Sequence, residues 1–472
     1  MSSPSSNFRS SLSLFDGVML VAGSMIGSGI FIVSADMVRN TGGAGWLILI
    51  WFVTGLVTLT AALSYGELSS MFPKAGGQYV YLKEAFNPLV SFVYGWSLFM
   101  VIQTATIAAV GVAFAKFSAY LIPFFSEDNH LMQLGDFSVT AAQLLAIFTI
   151  ILLTYINTLG VNGGKKIQSI FTVAKIASMA CLIIFGFLFL DTDIWKQNWN
   201  SPTTWTIHSL ANDGTWQTYA QMGAIGAIVA AMVGSIFSSD AWNNVTFIAG
   251  EIKNPQRNVG LSLALGTLIV TVVYMLINIM YTGQLSMQEI AYATKDRVAV
   301  DVSSKIFGDF GTSVIAIMIM IATFGCNNGL ILAGARVFYS MANDGLFFKN
   351  VAKLNKNSVP EVGLWMQCLV ASLWCISGKY GDLLDMISFV VVFFYMLTIV
   401  GIFVLRKNKP DLARPYKAFG YPFLPGLYIL FGIVFCVALI IYKPTYTWIG
   451  MIIALLGVPI YYLLKRNISS KI

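Results

Sequence analysis

GSMIGSGIF, residues 23–31, lies in the middle of the first apolar segment of this 472-residue chain. Its three glycines and two serines weaken a helix and leave small side chains around an accessible backbone. Inside a bilayer, unpaired backbone groups persist only where protein, water or a ligand satisfies them. We therefore predict that this stretch interrupts a membrane helix and forms half of a ligand-binding site.

The composition defines the class of protein. Hydrophobic residues make up 57% of the chain and charged residues only 10%, which is far more apolar than a soluble protein of this length. The net charge of +7 lies in short clusters between apolar runs, so it indicates membrane topology and not a nucleic-acid partner. The five cysteines form no CxxC pair and the chain has two histidines, so neither a disulfide framework nor a metal site is predicted.

The apolar runs predict an all-α polytopic membrane protein with twelve transmembrane helices, since a span needs about 20 apolar residues. Most Lys and Arg residues fall on one side of these spans, which favours both termini in the cytoplasm. The polar segment 73–88 is too short to span, and we interpret it as an interfacial helix over the inner mouth. The predicted spans are 14–36, 44–70, 89–122, 139–157, 167–190, 219–250, 259–283, 303–341, 361–378, 382–405, 422–442 and 446–464.

A second polar interruption lies in the sixth span. Ser238, Ser239 and Asp240 are poor helix formers near its middle, and Asp240 places an acid within the apolar run. Two interruptions five spans apart are typical of a five-plus-five inverted repeat with broken first and sixth helices. The whole chain, 1–472, is then one transporter domain, with repeats at about 14–190 and 219–405 and two accessory helices at about 422–464.

Gly27, Ser28 and Gly29 allow two interpretations. Gly23 and Gly27 fit the pattern of two small residues four positions apart that mediates close helix packing in membranes. A helix broken here would instead direct free N–H groups and the positive end of its dipole at an anion, such as an amino acid carboxylate.

Two charged residues inside apolar segments are candidates for function. Asp240 could bind a substrate ammonium, select cationic side chains or titrate with transported protons, or it could form a structural pair with a backbone amide or with Lys175. Lys175 lies about two turns from the membrane surface, so it either extends to the interface or is buried against carbonyl groups of the broken first helix. A buried Lys175 could take the place of a sodium ion.

Other residues give weaker signals. Phe237 and Trp242 flank the second interruption and could gate a cavity, but most aromatic residues simply pack. Cys326 and Asn327 form a polar cluster in the eighth span that could line the same cavity or form an interhelical hydrogen bond. There is no phosphate loop or hydrolase motif, so neither an enzyme nor a cofactor is predicted.

Taken together, these motifs closely resemble the amino acid–polyamine–organocation superfamily, and most closely the bacterial members of its L-type amino acid transporter family. The resemblance covers essentially the whole chain. It rests on GSMIGSGIF, on YGELSSMFPKAGGQYVYLKEAFNP after the second span, on Lys175, on FSSDAWNNVTFIAGEIKNPQRN through the sixth span, and on Cys326 to Gly329, Ala335-Arg336 and Arg414 to Lys417.

The resemblance implies alternating access and assigns roles to residues. Met25, Ser28 and Gly29 would contact the substrate carboxylate and amino group, Phe237 would close over the substrate, and Ser239 and Asp240 would contact the ammonium. Lys175 would occupy the place of a sodium ion, so sodium dependence is not expected. The full predicted substrate site is Met25, Ile26, Gly27, Ser28, Gly29, Phe237, Ser238, Ser239, Asp240, Trp242, Cys326 and Asn327.

Two departures from the family pattern affect the interpretation. The family often has Gly where Ala241 stands, and many eukaryotic relatives have Gly or Ser where Asp240 stands, so the size and charge of the pocket stay open. The loop after the third span has no cysteine, so the disulfide to the heavy subunit of animal relatives cannot form there. We expect the chain to work without that partner.

The leading interpretation is a plasma-membrane exchanger of neutral L-amino acids. The alternative is a proton-coupled amino acid permease, possibly one that accepts cationic amino acids.

Overall fold

The computed structural model of the chain describes residues 11–134, 137–210, 215–218, 222–377 and 380–469. Helices dominate these residues. The α-helices are α1 Leu14–Met25, α2 Gly29–Thr41, α3 Ala44–Met71, α4 Gln78–Ala85, α5 Pro88–Ser97, α6 Gln103–Leu121, α7 Ala141–Thr158, α8 Val161–Leu188, α9 Thr192–Trp199, α10 Met222–Ser238, α11 Asn244–Phe247, α12 Pro255–Gln284, α13 Met287–Ala291, α14 Val298–Asn343, α15 Glu361–Ser377, α16 Tyr380–Asn408, α17 Phe423–Tyr442 and α18 Pro444–Ser469. A short π-helical stretch, Leu98–Ile102, joins α5 to α6.

The strands are short and lie in the loops that the sequence places outside the membrane. β1 His130–Leu134 pairs with β2 Phe137–Thr140, and β3 His208–Leu210 pairs with β4 Trp216–Thr218, both antiparallel. The fold is therefore that of an all-α polytopic membrane protein, as predicted.

Within the described residues, nine helices are long and apolar enough to cross a membrane, or ten when α1 and α2 count as one bent span. Two shorter apolar helices, 223–238 and 361–376, lie where the sixth and ninth spans are predicted. The count of twelve spans and the inverted repeat stay predictions.

The first span is interrupted where its sequence is richest in glycine and serine. α1 begins at a capping box between Ser13 and Asp16 and ends at Met25, and α2 begins at Gly29 with a bend of 41° between the two axes. The predicted break in the first helix is confirmed.

The sixth span is also broken. α10 ends at Ser238, and the short helix α11 begins only at Asn244. The interruption predicted within span 219–250 is therefore confirmed, and residues 239–243 lie outside the helices. The serines and the acid there are poor helix formers, and Ala241 has a left-handed φ of 63° that a helix cannot contain.

The polar segment after α3 contains the predicted helix, α4, on the side of the termini. Its residues Gln78, Tyr79, Tyr81 and Leu82 are buried against protein, and α4 packs on α5 and α16. Contacts within the bundle therefore hold this segment, and it is not only a helix resting on the membrane surface.

Candidate functional site

The two interruptions lie against each other. A Cβ atom built on Gly29 would overlap the Ser238 hydroxyl and would lie 2.8 Å from Ser238 Cβ, so α2 can approach α10 this closely only with glycine. The Tyr274 hydroxyl lies 2.9 Å from the carbonyl oxygen of Met25 and 3.1 Å from that of Ser238. Tyr274, in α12, thus connects the last residues of α1 and α10.

The start of α2 places backbone N–H groups at the first interruption. The first N–H groups of a helix have no intrahelical acceptor, and the positive end of the dipole lies there. At the start of α2 these groups belong to Ser28, Gly29 and the next residues, all of which are buried. The arrangement can bind an anionic group such as a carboxylate.

Lys175, in α8, has no exposed surface and reaches the first interruption. Its Nζ donates hydrogen bonds to the carbonyl oxygens of Gly23 at 2.6 Å and Ile26 at 2.9 Å, and lies 3.4 Å from that of Ala322 in α14. The lysine therefore does not extend to the membrane surface. Its ammonium group occupies the place where the carbonyl groups at the end of α1 converge.

Asp240 lies at the second interruption and is 8% exposed. Its Oδ1 accepts a 2.6 Å hydrogen bond from the hydroxyl of Tyr395 in α16, which also lies 3.1 Å from Asn243 Oδ1. The structural pair between Asp240 and Lys175, left open by the sequence, does not form, because each group has its own partners.

Aromatic side chains close one side of the second interruption. The ring centroids of Trp242 and Tyr65 lie 4.7 Å apart, and those of Trp242 and Tyr395 lie 5.0 Å apart. Phe237, in the last turn of α10, is 8% exposed. Trp242 is thus part of a packed aromatic cluster, while Phe237 lies beside the interruption.

The two residues of the polar cluster in the eighth span, Cys326 and Asn327, have different surroundings. The Cys326 thiol contacts the Ser24 carbonyl oxygen at 3.1 Å, and a Cβ on Gly27 would lie 3.0 Å from Cys326 Sγ. The side-chain amide of Asn327 is buried, and neither of its polar atoms has a partner within the described part of the chain. The structure therefore brings Cys326 to the first interruption and leaves Asn327 able to bind water or a ligand.

Cavities of very different size lie near these residues. A cavity of about 590 Å³ on the side away from the termini reaches down to Val33 and Gly234, about one helical turn above the interruptions. Its wall carries Asp36, Arg39 and Asp385 among other charged groups. A much smaller cavity, of about 20 Å³, lies between Asp240, Gln78, Gln103 and Tyr395 and has room for about one water molecule.

Sequence reasoning missed two residues of this site, Tyr274 and Tyr395. Both are fully or nearly buried, and both use the hydroxyl group to bind an interruption that is distant in sequence. No local motif marks them among the 20 tyrosines of the chain.

Two interrupted helices that meet beside a buried lysine and a buried carboxylate, inside a polytopic helical bundle, are the arrangement of a secondary transporter. The family model described as amino acid permease matches residues 12–463. The chain therefore belongs to the amino acid permease family, and it is a transporter and not an enzyme.

Similar proteins agree with this assignment. The chain is 29% identical to mouse (Mus musculus) b(0,+)-type amino acid transporter 1 over 466 residues, covering 97% of this chain and 88% of that protein. It is 29% identical to rabbit (Oryctolagus cuniculus) large neutral amino acids transporter small subunit 2 over 458 residues, covering 96% of this chain and 80% of that protein. The resemblance to the L-type amino acid transporter family within the amino acid–polyamine–organocation superfamily is confirmed.

Proposed function

We propose that the chain exchanges neutral L-amino acids across the plasma membrane without sodium, with both termini in the cytoplasm. The names of the similar proteins, an amino acid transporter of the b(0,+) type and a transporter of large neutral amino acids, support the substrate class. The excess of Lys and Arg on the side of the termini supports the orientation.

Each interruption would bind one charged backbone group of the amino acid substrate. The N–H groups at Ser28 and Gly29 would bind its carboxylate, with Met25, Ile26 and Gly27 shaping this half. Ser238, Ser239 and Asp240 would bind its ammonium group, with Phe237 closing over the ligand. Cys326, Asn327 and Trp242 would form the remaining wall.

The contact of Lys175 with the Gly23 and Ile26 carbonyl oxygens carries the proposal. A sodium ion would need oxygen ligands of this kind, and the ammonium group already binds them. Lys175 would therefore hold the broken helix ready for substrate with no bound cation.

Counterflow in proteoliposomes tests this function. We expect labelled leucine to enter only vesicles loaded with unlabelled amino acid, at the same rate when choline replaces sodium. Equal uptake into empty vesicles, or uptake that requires sodium, would contradict sodium-independent exchange.

Asp240 supports a second candidate, a proton-coupled permease that accepts cationic amino acids. Its buried carboxylate has a hydroxyl partner in Tyr395 and could bind a proton or a cationic side chain. Uptake into empty vesicles driven by an inward proton gradient would favour this candidate. An Asp240→Asn variant that keeps the full substrate profile would remove Asp240 from the selectivity argument.

We further propose that the chain works without a disulfide-linked heavy subunit. Its loop between the third and fourth predicted spans has no cysteine to form the link. Full exchange activity of the purified chain alone would support this, and dependence on a second chain would refute it.

A further inference from the structure

Residues Ala75–Ala85, which we name the inner closing segment, cover the second interruption from the side of the termini. The Gly76 N–H donates a 3.0 Å hydrogen bond to the Phe247 carbonyl oxygen of α11. Gly76 and Gly77 have positive φ angles of 105° and 43°. A Cβ on Gly77 would overlap Thr246 Oγ1, so the segment lies directly against α11.

The same segment is attached to the end of α14. Asp344 accepts hydrogen bonds from the Tyr79 hydroxyl at 2.8 Å and from Lys83 Nζ at 2.7 Å. The Ser340 hydroxyl donates to the Ala75 carbonyl oxygen at 2.9 Å. The inner closing segment therefore links α11 to α14.

Gln78 is the residue of this segment that faces the site. It is fully buried, accepts a 3.0 Å hydrogen bond from Asn243 Nδ2 and donates one of 3.0 Å to Thr398 Oγ1. Asn243 Oδ1 in turn faces the Tyr395 hydroxyl, which binds Asp240. The hydroxyl has one proton, which it donates to Asp240, the nearer acceptor at 2.6 Å, while Asn243 Oδ1 lies 3.1 Å from the same oxygen. A series of close polar contacts thus runs from Asp240 to Gln78, and both side chains line the same small cavity.

We propose that Gln78 is a positioning residue that couples this site to its inner closure. While Tyr395 and Asn243 keep the observed arrangement, Gln78 stabilises the closed segment. A ligand ammonium that binds Asp240 competes with the Tyr395 hydroxyl, which then donates its proton to Asn243 Oδ1 instead, shifts the Asn243 amide and weakens its bond to Gln78. This last step rests on the proposed function, whereas the stabilisation of the closed segment does not.

Thiol labelling of the purified protein tests the proposal. Thr246 is buried beneath Gly77, so a Thr246→Cys variant reacts with maleimide only when the segment lifts. The exposed Cys181 is replaced by serine, and the same protein without Thr246→Cys gives the background from the buried cysteines. No substrate is present in this first assay.

In that protein, Gln78→Leu removes two hydrogen bonds and is expected to accelerate labelling at position 246 roughly tenfold. Gln284→Leu is the matched control, because Gln284 is also buried and bonds the Gly186 and Phe189 carbonyl oxygens far from the site. An unchanged rate in Gln78→Leu, or an equal rise in Gln284→Leu, would overturn the proposal. Should Gln78→Leu fail to fold, Thr398→Val removes the second bond of Gln78 and must show the same direction of change.

A double-mutant cycle tests the series of bonds itself. Tyr395→Phe should accelerate labelling, and the Gln78→Leu/Tyr395→Phe double variant should label no faster than the faster single variant. If the accelerations of the two single variants multiply in the double variant, Gln78 and Tyr395 act independently. Adding leucine should accelerate labelling of the parent but not of Gln78→Leu; if leucine has no effect while Gln78→Leu still does, the proposed substrate is wrong and the role of Gln78 stands.

Discussion

Lys175 Nζ donates a 2.6 Å hydrogen bond to the carbonyl oxygen of Gly23, although the two residues lie 152 positions apart in the chain. This bond fixes α8 to the end of α1, and the Ile26 carbonyl oxygen extends the contact into the interruption. The first interruption is therefore stabilised from another span, and its geometry depends on one ammonium group.

Lys175→Ala should remove that stabilisation and lower the exchange rate at least tenfold, mainly by slowing release and return on the inner side. The loss follows because the carbonyl groups of Gly23 and Ile26 would be buried without a donor. Proteoliposome exchange with substrate loaded inside measures it. Lys295→Ala, which removes an exposed lysine paired with Asp128, serves as the control and should exchange normally. Unchanged kinetics in Lys175→Ala would contradict the role of this lysine.

Tyr274→Phe should lower the apparent melting temperature by about 2 °C, because one buried hydroxyl that binds two carbonyl oxygens is worth about 1 kcal/mol. Tyr281→Phe is a matched control two turns further along α12. The Tyr281 hydroxyl is also buried but has no partner among the residues that the structure describes, so its removal should not destabilise the protein. Thermal unfolding in detergent compares the two, and equal shifts would contradict the bridging role of Tyr274.

The sequence predicts the two helix interruptions better than it predicts the side chains that bind them. The break at Gly27 to Gly29 and the loss of helix after Ser238 follow from local composition, and an apolar helix with a lone Lys175 indicates that carbonyl groups must lie nearby. Tyr274 and Tyr395 are different, because their hydroxyl groups gain a function only when the packing brings them to Met25 and Asp240. Such contacts depend on the tertiary fold and leave no periodic signal.

Local sequence patterns do not predict the hydrogen bonds of the inner closing segment either. Residues 73–88 predict a short helix after the second span, and α4 lies in this segment. Their sequence does not show that Gln78 turns inwards to Asn243, since the positive φ angles of Gly76 and Gly77 set that direction.

Gly29→Ala should abolish exchange, because the added methyl group overlaps Ser238 and would push α2 away from α10. The Gly29→Ala/Ser238→Gly double variant removes the obstructing side chain and should recover part of the activity. Gly426→Ala is the control, since no atom of the described residues lies within 4 Å of a Cβ built there. Exchange assays at matched protein density decide the outcome, and a fully active Gly29→Ala would show that the two interruptions need not touch.

Asp296, between α13 and α14, should make stability depend on acid pH. Burial acts to raise the pKa of Asp296, but Lys116 and Arg39 outweigh it and hold the pKa below its usual value. A carboxyl group of this kind stabilises the fold above its unfolded pKa of about 3.9, and the contribution is lost as the pH falls through the lower folded pKa.

The melting temperature of the parent should therefore fall more steeply below about pH 4 than that of Asp296→Asn. Asp193→Asn, at an exposed aspartate, should follow the parent curve. Parallel curves for the parent and Asp296→Asn would show that the pairs with Arg39 and Lys116 do not stabilise the fold.

The pair between Arg336 and Glu251 joins α14 to the segment after α11 and should be the most sensitive ion pair of the described chain. Its side chains are 0% and 4% exposed, and Arg336 Nε lies 3.1 Å from Glu251 Oε1. The Glu251 carbonyl oxygen also accepts bonds from the N–H groups of Ser11 and Leu12, so the same residue holds the N-terminal segment.

Glu251→Gln should destabilise the protein by about 3–5 kcal/mol, because it leaves the buried guanidinium without a counter-charge. The Glu251→Leu/Arg336→Met double variant removes both charges and should recover most of the loss. Asp128→Asn, which breaks the exposed pair with Lys295, is the control and should cause no measurable loss. Thermal unfolding of the four proteins tests this order. If Glu251→Gln is as stable as Asp128→Asn, the buried pair does not hold α14 and the segment after α11 together.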